Sequence, residues 1–167
     1  MNSTSLTIPY ISERSRNIVF TIIAIGLGIT LPRIFHLVGL GPIFLPMFLP
    51  IVILALVASP FYLLSAAIIT PLLSTALFGM PELTTSCMMI VQLSIVGTTI
   101  GLLRSKNIHI WIAVPSAVLI ERVLSLGTAY VIPAIHINPN AILQSYPGIL
   151  VLSASALLVD KLYDNKK

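Results

Sequence analysis

Two charged residues stand where charge is costly. Glu121 and Arg122 are adjacent within the apolar run Ile108–Ile132, about 13 residues from its start. At the centre of a membrane helix each charge costs about 2.5–3.5 kcal/mol on insertion scales, unless it faces a partner or a polar cavity. Either the two line a ligand cavity, or Arg122 ties helices together through carbonyl groups. Neighbouring helical positions point about 100° apart, so the two side chains are not expected to pair face to face. Gln92 lies within a second apolar run, Thr84–Leu103. Its amide carries donors and acceptors, which suits a heterocyclic or amide ligand or, alternatively, a hydrogen bond between helices. Tyr130, near the far end of the Glu121 run, fits an interfacial anchor or a stacking partner for a ligand ring; Trp111 reads as an anchor.

Other chemistries find no support in the spacing. His36, His109 and His136 show no metal-ligand spacing, and no cofactor is expected. The nucleophile-elbow, zinc-protease and phosphate-loop patterns are missing, so no enzymatic role is expected and any ATP hydrolysis must come from other chains. The lone Cys87 reads as a small buried hydrophobe. The net charge of +4 comes from scattered basic residues that form no patch for nucleic acid.

The elements that must position these residues follow from composition. The chain has 167 residues, of which 57% are hydrophobic and 8% charged; soluble domains run at about 45–50% apolar and about 25% charged. An all-α integral membrane protein is the expected class. Apolar runs cover Asn17–Leu31, Pro46–Ser59, Phe61–Phe78, Thr84–Leu103, Ile108–Ile132 and Tyr146–Leu162, predicting a compact bundle of six transmembrane helices over residues 17–162. Residues 1–16 and 163–167 form the flanking segments. The first run passes into Leu31-Pro32-Arg33 without a small-residue cleavage site, so it is expected to be retained. Pro46, Pro50 and Pro60 bracket the second, which fits a short, broken or tilted helix ended by a tight Ser59-Pro60 turn. With six spans, Arg14, Arg16, Arg104, Lys106, Lys161, Lys166 and Lys167 share one side, which places both termini in the cytoplasm. Arg33 then lies in an outward loop running to Leu45, with further outward loops at Gly79–Leu83 and Ala134–Ser145.

One helix also carries a small-residue strip. Ala24 and Gly28 are one turn apart in Ala24-Ile25-Gly26-Leu27-Gly28, where another helix can approach closely, within this chain or from a partner.

The stretches Leu31-Pro32-Arg33-Ile34-Phe35-His36, Gly41-Pro42-Ile43-Phe44-Leu45-Pro46-Met47-Phe48-Leu49-Pro50, Thr70-Pro71-Leu72-Leu73-Ser74 and Gly79-Met80-Pro81 resemble the substrate-binding S components of energy-coupling factor (ECF) vitamin transporters. The likeness is best from Ala24 to Pro81, with later echoes at Gln92-Leu93, Gly97, Arg122 and Pro147-Gly148-Ile149. It implies a multi-pass protein of the bacterial plasma membrane that captures a vitamin or related micronutrient outside. That subunit would work with a membrane scaffold and two ATPase subunits. The resemblance puts scaffold docking on Ala24 and Gly28, and the ligand among Gln92, Glu121, Arg122, Tyr130, His36 and Asn138. It also shows departures: related sequences tend to have His where this chain has Phe48, an acid at Gln92, and Gly-Arg at Glu121-Arg122. A pyridine- or pyrimidine-type heterocycle is the expected ligand class. The alternative is a stand-alone proton-coupled carrier using Glu121.

Overall fold

The structure is a computed structural model that describes residues 12–37, 39, 45–131 and 146–164. Within them the regular structure is helical: α1 (Glu13–Leu37), α2 (Phe48–Val57), α3 (Pro60–Phe78), α4 (Leu83–Ser105), α5 (Ile110–Val131) and α6 (Tyr146–Asp164). Four of them, α1, α3, α4 and α5, are long and apolar enough to cross a membrane. That is compatible with a multi-pass membrane protein.

Local chemistry sets the boundaries. α2 ends at Val57, where Ala58 is already extended, and Ser59 is extended too, as residues preceding proline are. Pro60 then opens α3 at the first helical position, where its missing N–H is harmless. Gly79 closes α3 in the left-handed conformation, φ 67°, donating its N–H to Thr75 O at 2.8 Å. Hydroxyl groups stitch the next turn. Ser74 donates to Met80 O at 2.9 Å and Thr75 to Pro81 O at 2.8 Å, and Thr75 also meets Ser86 of α4.

One boundary differs from the expectation. The first helix does not stop at Leu31 but continues through Pro32 to Leu37, so Arg33 and His36 stand on its last turns rather than in a loop. Membrane helices tolerate an internal proline where surrounding groups satisfy the freed backbone, and Pro71 and Pro115 sit inside helices here too.

The second apolar run forms a helix of only 10 residues. At 1.5 Å per residue that is about 15 Å, half the hydrocarbon thickness. Short as it is, α2 is the centre of the packing. It touches α1, α3, α4 and α6, and Ile51, Val52 and Leu54 are almost wholly buried. Around it the contacts run α1 to α3, α3 to α4, α4 to α5 and α5 to α6. Small side chains make these approaches close: Ala66, Ala67, Ala113, Ala117 and Ala156 have no exposed surface. In lipid, where apolar burial gives little drive, such van der Waals packing is what holds helices together. The outer surface is the inverse of a soluble protein's, with Ile22, Leu102, Val123 and Leu158 each more than 60% exposed.

Contacts also fix which helix ends lie together. Arg33 of α1 stacks on Phe78 at the end of α3, its guanidinium carbon 3.1 Å from the ring centroid. At the other end Arg104 of α4 pairs with Asp160 of α6 at 2.9 Å. Since α1 and α3 run together and α4 returns against α3, the start of α1 with Arg14 and Arg16 shares the Arg104 end. Lys106 and Lys161 lie there too, while Lys166 and Lys167 fall outside the described residues. The bundle therefore has a basic end and, opposite it, an end bearing Arg33, His36 and Glu82.

Candidate functional site

Glu121 is the twelfth residue of α5 and has no exposed surface. A carboxylate held away from water needs donors, and the first is local. Ser125, one turn further along α5, donates its hydroxyl to Glu121 Oε1 at 2.6 Å. Gln92 of α4 extends the chain, its Nε2 donating to Ser125 Oγ at 3.1 Å. The result is a Gln92–Ser125–Glu121 relay crossing from one helix to its neighbour at mid-depth.

The second carboxylate oxygen faces Arg122. Oε2 lies 3.5 Å from Arg122 Nε, and the Arg122 side chain is only 13% exposed. Adjacent residues thus do pair, against the expectation from their 100° separation. The contact uses Nε, the guanidinium nitrogen nearest the backbone, which a bent arginine stem can bring back over its neighbour. Among the described residues neither Oε2 nor Nε makes a hydrogen bond. One acceptor and one donor therefore stand side by side with hydrogen-bonding capacity in hand.

A backbone feature lies at the same depth. The start of α2 reaches this level, with the Phe48 ring centroid 6.0 Å from the Arg122 guanidinium carbon, at the outer reach of a cation–π contact. Just before it, Leu45 is held at φ 49° and accepts a hydrogen bond from Phe48 N–H at 2.9 Å. Non-helical backbone within a bilayer is tolerated where protein buries it or where it lines a cavity. Pro46 and Met47 are buried here.

Of the remaining expected residues, His36, Ala24 and Gly28 lie away from this cluster. His36 is exposed on the last turn of α1, outside the cluster. Tyr130 lies on the last turn of α5, and Asn138, like His136, falls outside the described residues. Ala24 and Gly28 face into the chain: Ala24 joins the core, and a Cβ added to Gly28 would lie 2.6 Å from Thr70 Cγ2 and 3.6 Å from Pro50 Cγ. The strip holds α1 to α3 and α2 in this structure. Cys87, expected as a buried hydrophobe, is exposed on α4.

Sequence reasoning missed Ser125. Its position four residues after Glu121 was the available signal, since such pairs share a helix face. No group of three or more His, Cys, Asp or Glu residues is placed to hold a metal among the described residues. A groove of about 620 Å³ exists near Arg104, but none of the four polar residues lines it.

These features define a helical bundle with a polar cluster at its centre, compatible with a multi-pass membrane protein. No protein-family model matches the chain, and neither a curated protein nor a solved structure matches it.

Proposed function

We propose that this chain is the substrate-binding membrane subunit of an ECF-type importer in the bacterial plasma membrane, with its basic end cytoplasmic. It takes a small polar micronutrient from outside and delivers it inward with a scaffold and two ATPase subunits. One observation carries the reading: at a single depth the bundle combines a fully buried carboxylate, an arginine, the Gln92–Ser125 relay and the start of a half-length helix. Membrane transporters recurrently build midplane sites where a helix is interrupted beside buried charge.

The chemistry selects a class of ligand. Glu121 Oε2 can accept a hydrogen bond, Arg122 Nε can donate one, and Phe48 adds an aromatic face. A small heterocycle with a donor and an acceptor in neighbouring positions meets all three. The resemblance places scaffold docking on the first helix. In this conformation the exposed residues of α1 are on another face, including Val19, Ile22 and Ile23.

Mass spectrometry of whatever small molecule survives purification tests this reading. A single micronutrient at one per chain, lost in Glu121→Gln, is expected, together with co-purification of scaffold and ATPases. Uptake that persists in cells lacking those subunits would overturn it. The complete burial of Glu121 also favours a second reading, a proton-coupled carrier. Vesicles containing this chain alone decide between them: solute uptake driven by a pH gradient and abolished by Glu121→Gln would replace the importer reading.

A further inference from the structure

The groove near Arg104 has no part in the cluster at mid-depth. Its walls are the end of α2 at Ala55 and Ala58, the first turn of α3 at Pro60 and Leu63, and the last third of α4. At about 620 Å³ it falls within the range of small-molecule sites. Two glycines of α4 shape it differently. A Cβ on Gly97 would meet Leu63 Cδ1 at 2.9 Å, so the helices close there, whereas one on Gly101 meets nothing within 4 Å. The groove is open at Gly101.

Three lining residues are polar, and two are occupied by their own helix. Thr98 donates to Ser94 O at 2.6 Å and Ser105 to Leu102 O at 2.8 Å. Arg104 retains capacity. Its one terminal nitrogen pairs with Asp160, while the other, Nη1, is buried and makes no hydrogen bond among the described residues. An interfacial type of residue stands at the same end: Trp111, in the first turn of α5, is half exposed, and tryptophan favours the membrane–water boundary. An apolar trough thus runs up to an arginine at the end of the bundle that carries Trp111, with Lys106 exposed two residues on.

We infer that this groove binds one anionic phospholipid, with an acyl chain beside Gly101 and the phosphate on Arg104. Basic pockets between helices on the cytoplasmic side are suited to such headgroups. A water-soluble anion would have no use for the apolar half. The inference does not depend on what the Glu121 cluster carries.

Native mass spectrometry of the full chain in detergent, with equimolar phosphatidylglycerol and phosphatidylcholine of matched chains, tests it. Wild-type protein should retain phosphatidylglycerol over phosphatidylcholine by about fivefold. Arg104→Gln should erase that preference. Asp160→Asn, which keeps the arginine but loosens the α4–α6 tie, should preserve it. Gly101→Leu, which fills the trough and leaves Arg104 in place, should lower retention of both lipids. Equal retention of the two lipids by wild-type protein overturns the inference, and that comparison holds even if a variant fails to fold. Displacement of phosphatidylglycerol by millimolar inorganic phosphate would also overturn it, marking an anion site alone. So would unchanged retention in Gly101→Leu.

Discussion

Glu121 and Arg122 stabilise each other only as a pair. Removing one partner of a buried ion pair leaves the other uncompensated, at a cost of about 3–5 kcal/mol. Arg122→Leu is therefore expected to lower unfolding stability in detergent by that amount. Adding Glu121→Gln should recover much of the loss, because the amide leaves no lone charge and can still accept from Ser125 Oγ. Simple addition of the two single effects in chemical unfolding would show that the residues are not coupled. Both were legible in the sequence because charge inside an apolar run is costly enough to mark its position, whether it lines a cavity or ties helices together. Ser125 was not, since helical serines commonly satisfy themselves on the preceding turn. Nor could the sequence show that Phe48, more than 70 residues away, comes alongside Arg122.

Between elements, the closest approaches depend on missing side chains. Gly28→Ala puts a methyl 2.6 Å from Thr70 Cγ2, so either α1 or α3 must move. Overpacking of this kind costs about 1–3 kcal/mol. Thr70→Ser deletes the opposing methyl and should restore most of the loss, whereas failure to rescue in thermal unfolding would place the strain elsewhere. Gly97→Ala should be milder, because its contacts with Leu63 start at 2.9 Å rather than 2.6 Å. The apolar runs foretold the helices well, including the short second one, where three prolines within 15 residues leave room for little else. They misplaced the end of the first. Pro32 reads as a stop, but within the packed bundle the helix continues for more than a turn beyond it. Cys87 was misjudged because an apolar run does not say which of its helix faces packs inside the bundle and which faces outward.

For the whole molecule, the separation of charge between ends predicts labelling from opposite sides of a membrane. In a Cys87→Ser background, Ser12→Cys and Ser105→Cys should react with an impermeant maleimide from one side of oriented vesicles, and Met80→Cys from the other. Met80→Cys reacting from the same side as Ser105→Cys would overturn that placement. The six-helix order was accessible from hydropathy and basic residues, but the central place of α2 was not, because contacts among helices leave no periodic trace in one sequence. The Arg104–Asp160 pair has a further consequence in time. During synthesis Arg104 emerges about 56 residues before its partner, which at about 5–20 residues per second is an interval of roughly 3–11 s. Until α6 is made, the fourth helix has no carboxylate from the sixth to lean on. Once it leaves the ribosome, α6 therefore completes the basic end of the bundle, and in a nascent chain arrested before Asp160 the Arg104 guanidinium should react faster with arginine-directed reagents than in the finished protein, where a third of the side chain is exposed.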